Sequence, residues 1–302
     1  MPSTRTARRF RQDLLDAGLL RAAGADGVYH RSGTFERIVR GIEGRASAAG
    51  RDQQAAQYFF PPIIARDAFE RTDYLRSFPD LIGSVSIFTG DDADHAHLLE
   101  VADEGGDWSR ELTPSEVMLC SAACHPLYPN LSGTMSAGAI RVECQGYVFR
   151  HEPSLDPARM QSFRQHEFVY VGEPQGAVDH RDLWLARGLE LLAGLGLEVE
   201  AVVANDPFFG RAGRMLAANQ RDTALKYEIV ASITSDAPTA ITSANCHEDH
   251  FGAAFAIRSA DGEVAHTACI GFGLERIALA LISRHGLDPA DWPVGVREQL
   301  WP

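Results

Sequence analysis

Lysine is nearly missing from this chain: Lys226 stands alone among 28 basic residues, the rest being arginine. Genomic base composition accounts for such a skew; the alternative is that a compact ammonium is needed at that one position. Cysteine is scarce too, five in 302 residues, an odd count that speaks against a disulfide framework and for a reducing, cytoplasmic compartment. No run approaches 18 apolar residues, which excludes a membrane-spanning helix. The basic N-terminus passes into polar Arg11-Gln12-Asp13 and so lacks the apolar core of a secretory signal. Positive charge is outweighed, with a net charge of −13 that disfavours broad binding to a phosphate backbone. The remainder is ordinary: 45 % hydrophobic and 23 % charged residues, enough core for one large domain or two small ones.

No internal repeat or low-complexity tract interrupts the chain. Residues 1–33 read as a peripheral helix and turn. Thr34 is predicted to cap a helix over 35–47, whose Phe35, Ile38 and Ile42 form an apolar stripe. An extended segment over 59–64 is stopped by Pro61 and Pro62, and a second helix follows over 66–76. Strand patterns fall at 84–88, 141–151, 163–172, 197–203, 225–234, 240–246, 251–258 and 264–272. Helices are expected at 175–196, 211–220 and 273–285. The polar, proline-bearing loop Glu152-Pro153-Ser154-Leu155-Asp156-Pro157 makes the 141–151 and 163–172 strands an antiparallel hairpin. Strands gathered between outer helices, without regular βαβ alternation, predict an α+β fold on a central antiparallel sheet flanked by helices.

Three constellations carry possible chemistry. Arg150, Glu152, Arg164 and Glu167 are expected on one face of the hairpin, where four charges are costly to bury without a charged ligand; a solvated edge is the bland alternative. Gly271-Phe272-Gly273-Leu274-Glu275-Arg276 turns from strand to helix, and an arginine in that first turn opposes the helix dipole unless it meets an anion or a carboxylate. Among metal candidates, Cys246-His247-Glu248-Asp249-His250 and His95-Ala96-His97 have the density of surface loops. Cys124 and Cys269 lie in apolar settings where plain packing is the default, and their separation matches no zinc-finger spacing.

The hairpin and the 271–280 turn resemble motifs 2 and 3 of class II aminoacyl-tRNA synthetases, and 36–62 resembles motif 1. Phe149-Arg150-His151-Glu152 and Arg164-Gln165-His166-Glu167-Phe168 are similar to the seryl-tRNA synthetase pattern, with Glu167 where that pattern has glutamine. Nearer still, Ala123-Cys124-His125-Pro126-Leu127-Tyr128-Pro129, 204–211 and 265–273 resemble the amino acid:[carrier protein] ligases, truncated homologues of methanogen-type seryl-tRNA synthetases. The resemblance covers about residues 25–290 and implies the class II catalytic fold in a single domain, 1–302, assembled as a homodimer.

That resemblance implies zinc on Cys124, Glu167 and Cys269, with one open position for the substrate's α-amino group. It implies ATP with Mg2+: Arg150 on the α-phosphate, Glu152 at the adenine edge, Phe168 stacked on the base and Arg276 on the γ-phosphate. Arg164 is expected beside the substrate carboxylate and the reacting phosphate. No acidic residue fills the family's magnesium place within 239–245, so Glu228 is the substitute. The implied reaction forms an aminoacyl adenylate and passes the amino acid to the phosphopantetheine thiol of an acyl carrier protein. A segment inserted at 205–222, with Arg211, Arg214 and Arg221, is expected to dock that acidic partner. Only about 35 residues precede the first motif, which with the acidic charge disfavours tRNA. Gly172, where seryl enzymes keep a carboxylate for the serine hydroxyl, suggests glycine or alanine as substrate. The rival readings are a compact aminoacyl-tRNA synthetase and a non-catalytic synthetase paralogue that senses an amino acid.

Overall fold

Two long, largely buried strands, β8 (Ile140–Phe149) and β9 (Ser162–Gly172), form the hairpin at the centre of the molecule. The computed structural model describes residues 5–72, 74–136, 138–204, 224–235 and 237–302. The strands before the hairpin are β1 (Leu20–Ala22), β2 (Tyr29–Arg31), β3 (Ala56–Phe59), β4 (Ile63–Ala65), β5 (Ser84–Ile87), β6 (Thr113–Leu119) and β7 (Gly133–Thr134). Those after it are β10 (Val199–Val203), β11 (Lys226–Ala231), β12 (Thr239–Glu248), β13 (Ile257–Arg258) and β14 (His266–Gly273). Seven of them make one sheet in the order β10-β11-β12-β14-β9-β8-β3. All its pairings are antiparallel except that of edge strand β3 with β8. A smaller antiparallel sheet, β4-β6-β5, lies beside it. The expected α+β architecture is thus observed.

One face of the large sheet is covered by the Gly33–Gly50, Pro174–Gly194 and Leu274–His285 helices. Phe35, Ile38, Trp184, Leu192, Ile277 and Leu281 from those helices share a buried core with Phe168, Ile229, Ile270 and Phe272 from the strands. On the opposite face Val142, Cys144, Val169 and Val171 share a second buried core with Phe69, Phe251 and Phe255, and a cavity lies beside it. Among the described residues no helix is long and apolar enough to cross a membrane.

Several boundaries differ from the sequence reading. Ser32, not Thr34, caps the first long helix, accepting from the Phe35 amide at 3.2 Å, because its side chain stands three residues before an unpaired N–H. The expected 66–76 helix is two short ones, Arg66–Arg71 and Tyr74–Ser77. The expected 251–258 strand is a helix, His250–Ala254, followed by two-residue β13; its phenylalanines follow a helical turn, not strand alternation. The Asp92–Asp103 helix escaped notice because no residue in it is buried, leaving no apolar period to read; a capping box of Asp91 and Asp94 starts it. The expected 211–220 helix lies outside the described residues.

Two of these helices, Gly33–Gly50 and Leu274–His285, are locked to the hairpin by one arginine. Arg164 grips Glu36 with both terminal nitrogens (2.7 and 2.8 Å) and Glu275 with Nε (2.8 Å), while its own amide donates to Glu275 at 2.7 Å. Burial works against this cation, and the two carboxylates outweigh it and hold it firmly protonated. Glu275 is only 1 % exposed, so losing Arg164 leaves a buried carboxylate with only the longer 3.5 Å contact to Arg31. Arg164→Leu is expected to lower the unfolding free energy by about 3–5 kcal/mol in urea titration. A loss below about 1 kcal/mol, the range of an exposed pair, contradicts this reading.

Candidate active site

Strand alternation decides which side chains meet on the open face. Across the sheet, Glu228, Ser243, Gly271 and Glu167 fall in one lateral row, and Lys226, Asn245 and Cys269 in the next. Gly271 puts no side chain into the first row, so a Cβ there would stand 3.5 Å from Glu167 Cγ. Above these rows lies a cavity of about 1070 Å³, lined by Cys124, Arg150, Glu152, Glu167, Glu228, Cys269 and Arg276 among others.

Cys124 arrives from a different part of the chain. The loop after β6 lays its Ala123 amide against β9, donating to Glu167 Oε1 at 3.0 Å and to Gln165 Oε1 at 3.1 Å. That docking brings Cys124, Glu167 and Cys269, 145 residues from first to last, into one buried cluster whose ligand atoms all lie within 4.8 Å of one another. Glu167 is 2 % exposed and its Oε2 has no hydrogen-bond partner. Burial, with the neighbouring Cys269 charge, pushes its carboxyl up to about 7. The hydrogen bond from Cys124 pulls the Cys269 thiol well down, and that bond and burial push Cys124 up. One thiolate, a second thiol and an orphaned carboxylate oxygen, out of water, form a donor set that fits a tetrahedral divalent ion of zinc type.

The cationic half of the cavity is built from Arg150, just past the end of β8, and Arg276, in the first turn of the last long helix. Arg276 is pinned by carbonyls, Nε to Ala158 at 2.8 Å and Nη1 to Ala240 at 3.0 Å. Burial and the like charge of Arg150 push its pKa down. Arg150 lies over the Phe163 ring, 5.6 Å from its centroid. Glu152 pairs with Arg159 at 3.0 Å, and Glu228 with Lys226 at 3.4 Å, all four lining the cavity.

Three expectations fail on geometry. Arg164 is three residues from Glu167, an odd separation, and projects to the helix face; it does not line the cavity. Phe168 also faces the helices, 1 % exposed and stacked on Trp184 with centroids 3.8 Å apart, so it stacks on no base; Phe163 lines the cavity instead. Gly172 lies outside the cavity lining, so its missing side chain does not shape the pocket. Arg211, Arg214 and Arg221 lie outside the described residues. His95 and His97 are exposed as expected. His247 is not: a bulge in β12 between Cys246 and Glu248 carries it to 3.6 Å from Cys269 Sγ, with its Nδ1 3.0 Å from Thr267 Oγ1. His125, unassigned from sequence, also lines the cavity; burial and the Arg150 charge push its pKa down to about 3.

Solved structures share this architecture. The seryl-tRNA synthetase of Methanopyrus kandleri, in complex with an Aquifex aeolicus tRNASec, superposes with a TM-score of 0.84 at 22 % identity, covering 99 % of this chain and 61 % of that one. The Pyrococcus horikoshii seryl-tRNA synthetase complexed with ATP gives a TM-score of 0.71 at 15 % identity, covering 99 % of this chain and 63 % of that one. The fold is the catalytic fold of class II aminoacyl-tRNA synthetases, and the chain spans less than two thirds of those two neighbours. Curated relatives are more specific. The chain is 38 % identical over 291 residues to amino acid–[acyl-carrier-protein] ligase 1 of Bradyrhizobium diazoefficiens, covering 95 % of this chain and 89 % of that protein. Ligase 2 of the same organism is 39 % identical, covering 95 % and 87 %. The type-2 serine–tRNA ligase of M. kandleri is 27 % identical, covering 80 % of this chain and 50 % of that protein. No family model matches the chain. The chain belongs to the amino acid–[acyl-carrier-protein] ligases and is a ligase.

Proposed function

We propose that this ligase activates a small amino acid with ATP and transfers it to the phosphopantetheine thiol of an acyl carrier protein. The observation that carries the reading is one cavity holding two chemically distinct ends: the Cys124–Glu167–Cys269 cluster and the Arg150–Arg276 pair. Zinc on that cluster would supply an open coordination position for the substrate's α-amine, acting as template and filter. Arg150 neutralises the α-phosphate as the amino-acid carboxylate oxygen bonds to phosphorus and pyrophosphate leaves, and Arg276 holds the departing phosphates. In the second step the carrier thiol's sulfur bonds to the acyl carbon, AMP leaves and the thiol proton is released. Both steps rest on positioning and charge neutralisation, with no side-chain nucleophile. Glu228, at the cavity wall, is a carboxylate available to Mg2+. Rings of Tyr74, His125 and Phe251 wall the cavity that Cys124 and Cys269 line, which favours glycine or alanine over a larger substrate.

Amino-acid-dependent pyrophosphate exchange, run across all amino acids and followed by mass analysis of a phosphopantetheinylated carrier protein, tests the reading. Exchange with glycine or alanine is expected, and Arg276→Ala should abolish it while leaving bound metal in place. Exchange with no amino acid overturns the activity, and loading of tRNA in place of the carrier selects a compact synthetase. Metal analysis should find about one zinc per chain in the purified protein, lost in Cys124→Ser and in Cys269→Ser; zinc retained by both variants refutes the centre. Replacing Arg211, Arg214 and Arg221 with alanine should slow thioester formation and spare adenylation. Equal loss of both steps argues against their docking role.

A further inference from the structure

The bulge in β12 holds a strained backbone beside the Cys124–Glu167–Cys269 cluster. Glu248 takes a φ of 51°, in the left-handed region that a side chain adopts only at a cost. Cys246 pairs with Ala268 and Glu248 with Thr267, so His247 is the extra residue between them. Strain of this kind persists where the surroundings fix it, and here it accompanies the placing of one ring. His247 Nε2 stands 3.6 Å from Cys269 Sγ, and Nδ1 stands 3.0 Å from Thr267 Oγ1. Phe251 packs edge-on against the same ring with centroids 4.9 Å apart.

The two contacts fix each other. A thiolate or metal-bound sulfur has no proton to give, so the nitrogen facing it carries the hydrogen and Nδ1 is the acceptor. Thr267, 0 % exposed, then donates its hydroxyl to Nδ1 and sets the tautomer. From the position opposite Cys269, Asn245 Nδ2 donates to the same sulfur at 3.6 Å. Among the described residues, the donor atoms within 4.8 Å of one another belong to Cys124, Glu167 and Cys269; His247 stands outside that set and touches one member of it. Two sulfurs and a carboxylate crowded out of water repel one another when charged, and an N–H aimed at one sulfur offsets part of that repulsion and fixes its direction.

We propose that His247 is a positioning residue of the metal centre, its Nε2–H holding the Cys269 sulfur in the orientation that receives a zinc-type ion while Thr267 holds the ring. It takes no coordination position itself, so the one for the substrate's amine stays open. The inference rests on the zinc reading proposed above.

The full chain, stripped of metal and titrated with zinc or cobalt(II), tests this. His247→Phe keeps a ring against Phe251 but removes both nitrogens, whereas His247→Gln returns an N–H near the place of Nε2. By competition with a chromophoric chelator, His247→Phe should weaken zinc binding by about tenfold to a hundredfold, and His247→Gln should recover most of that loss. A hydrogen bond lowers the energy of sulfur lone pairs, so in the cobalt-loaded His247→Phe protein the sulfur-to-metal charge-transfer band should move to longer wavelength. An unchanged zinc affinity or band position in His247→Phe overturns the proposal. Equal loss in both variants marks a direct ligand and overturns it too. Should His247→Phe fail to fold, Thr267→Val removes the hydroxyl that sets the tautomer while keeping the side chain's shape. Weaker zinc binding and the same band shift are expected there, and wild-type values overturn the proposal. A wild-type chain that binds neither metal overturns the zinc reading itself; a wild type that binds zinc beside an insensitive His247→Phe overturns only the positioning role.

Discussion

The two-residue alternation of β9 is the constraint on which the rest of the molecule depends. Phe163, Gln165 and Glu167 turn toward the cavity, and Arg164, His166 and Phe168 turn toward the helices. A single strand therefore supplies the central carboxylate of the open face and, on its back, the guanidinium and the ring that anchor the helical layer. Neither layer can shift by one residue without exchanging these roles. The loop that carries Cys124 adds a second clamp, since the Ala123 amide is shared between Gln165 and Glu167 on the same strand.

Electrostatics divide the protein in the same way. The chain as a whole is strongly acidic, yet the cavity gathers Arg150, Arg159, Lys226 and Arg276. Arg159 and Lys226 are balanced by Glu152 and Glu228, whereas Arg276 meets backbone carbonyls and the like charge of Arg150. The phosphate contacts proposed above fall on the latter pair.

Much of this was legible in the residues. The hairpin, the strand-to-helix turn at 271–276 and the long helix over 175–196 carry strong local patterns, and the ordered motifs implied the class II fold before any coordinates. The convergence of Cys124, Glu167 and Cys269 was legible only through resemblance, because no spacing rule connects positions so far apart. Where the reading failed, it had set parity aside. Arg164 and Phe168 were placed beside Glu167 on the strength of a motif, although strict alternation from Glu167 sends both to the other face. His247 was hidden for the opposite reason: a bulge breaks the alternation there, and a bulge leaves no clear mark in composition.

The Arg164 clasp has an evolutionary corollary. Glu36, Arg164 and Glu275 belong to three separated segments whose charges meet in one buried cluster. Drift at one of these positions is tolerable only with compensating change at the others, so the three should be inherited as a linked set even where the surrounding surface diverges freely.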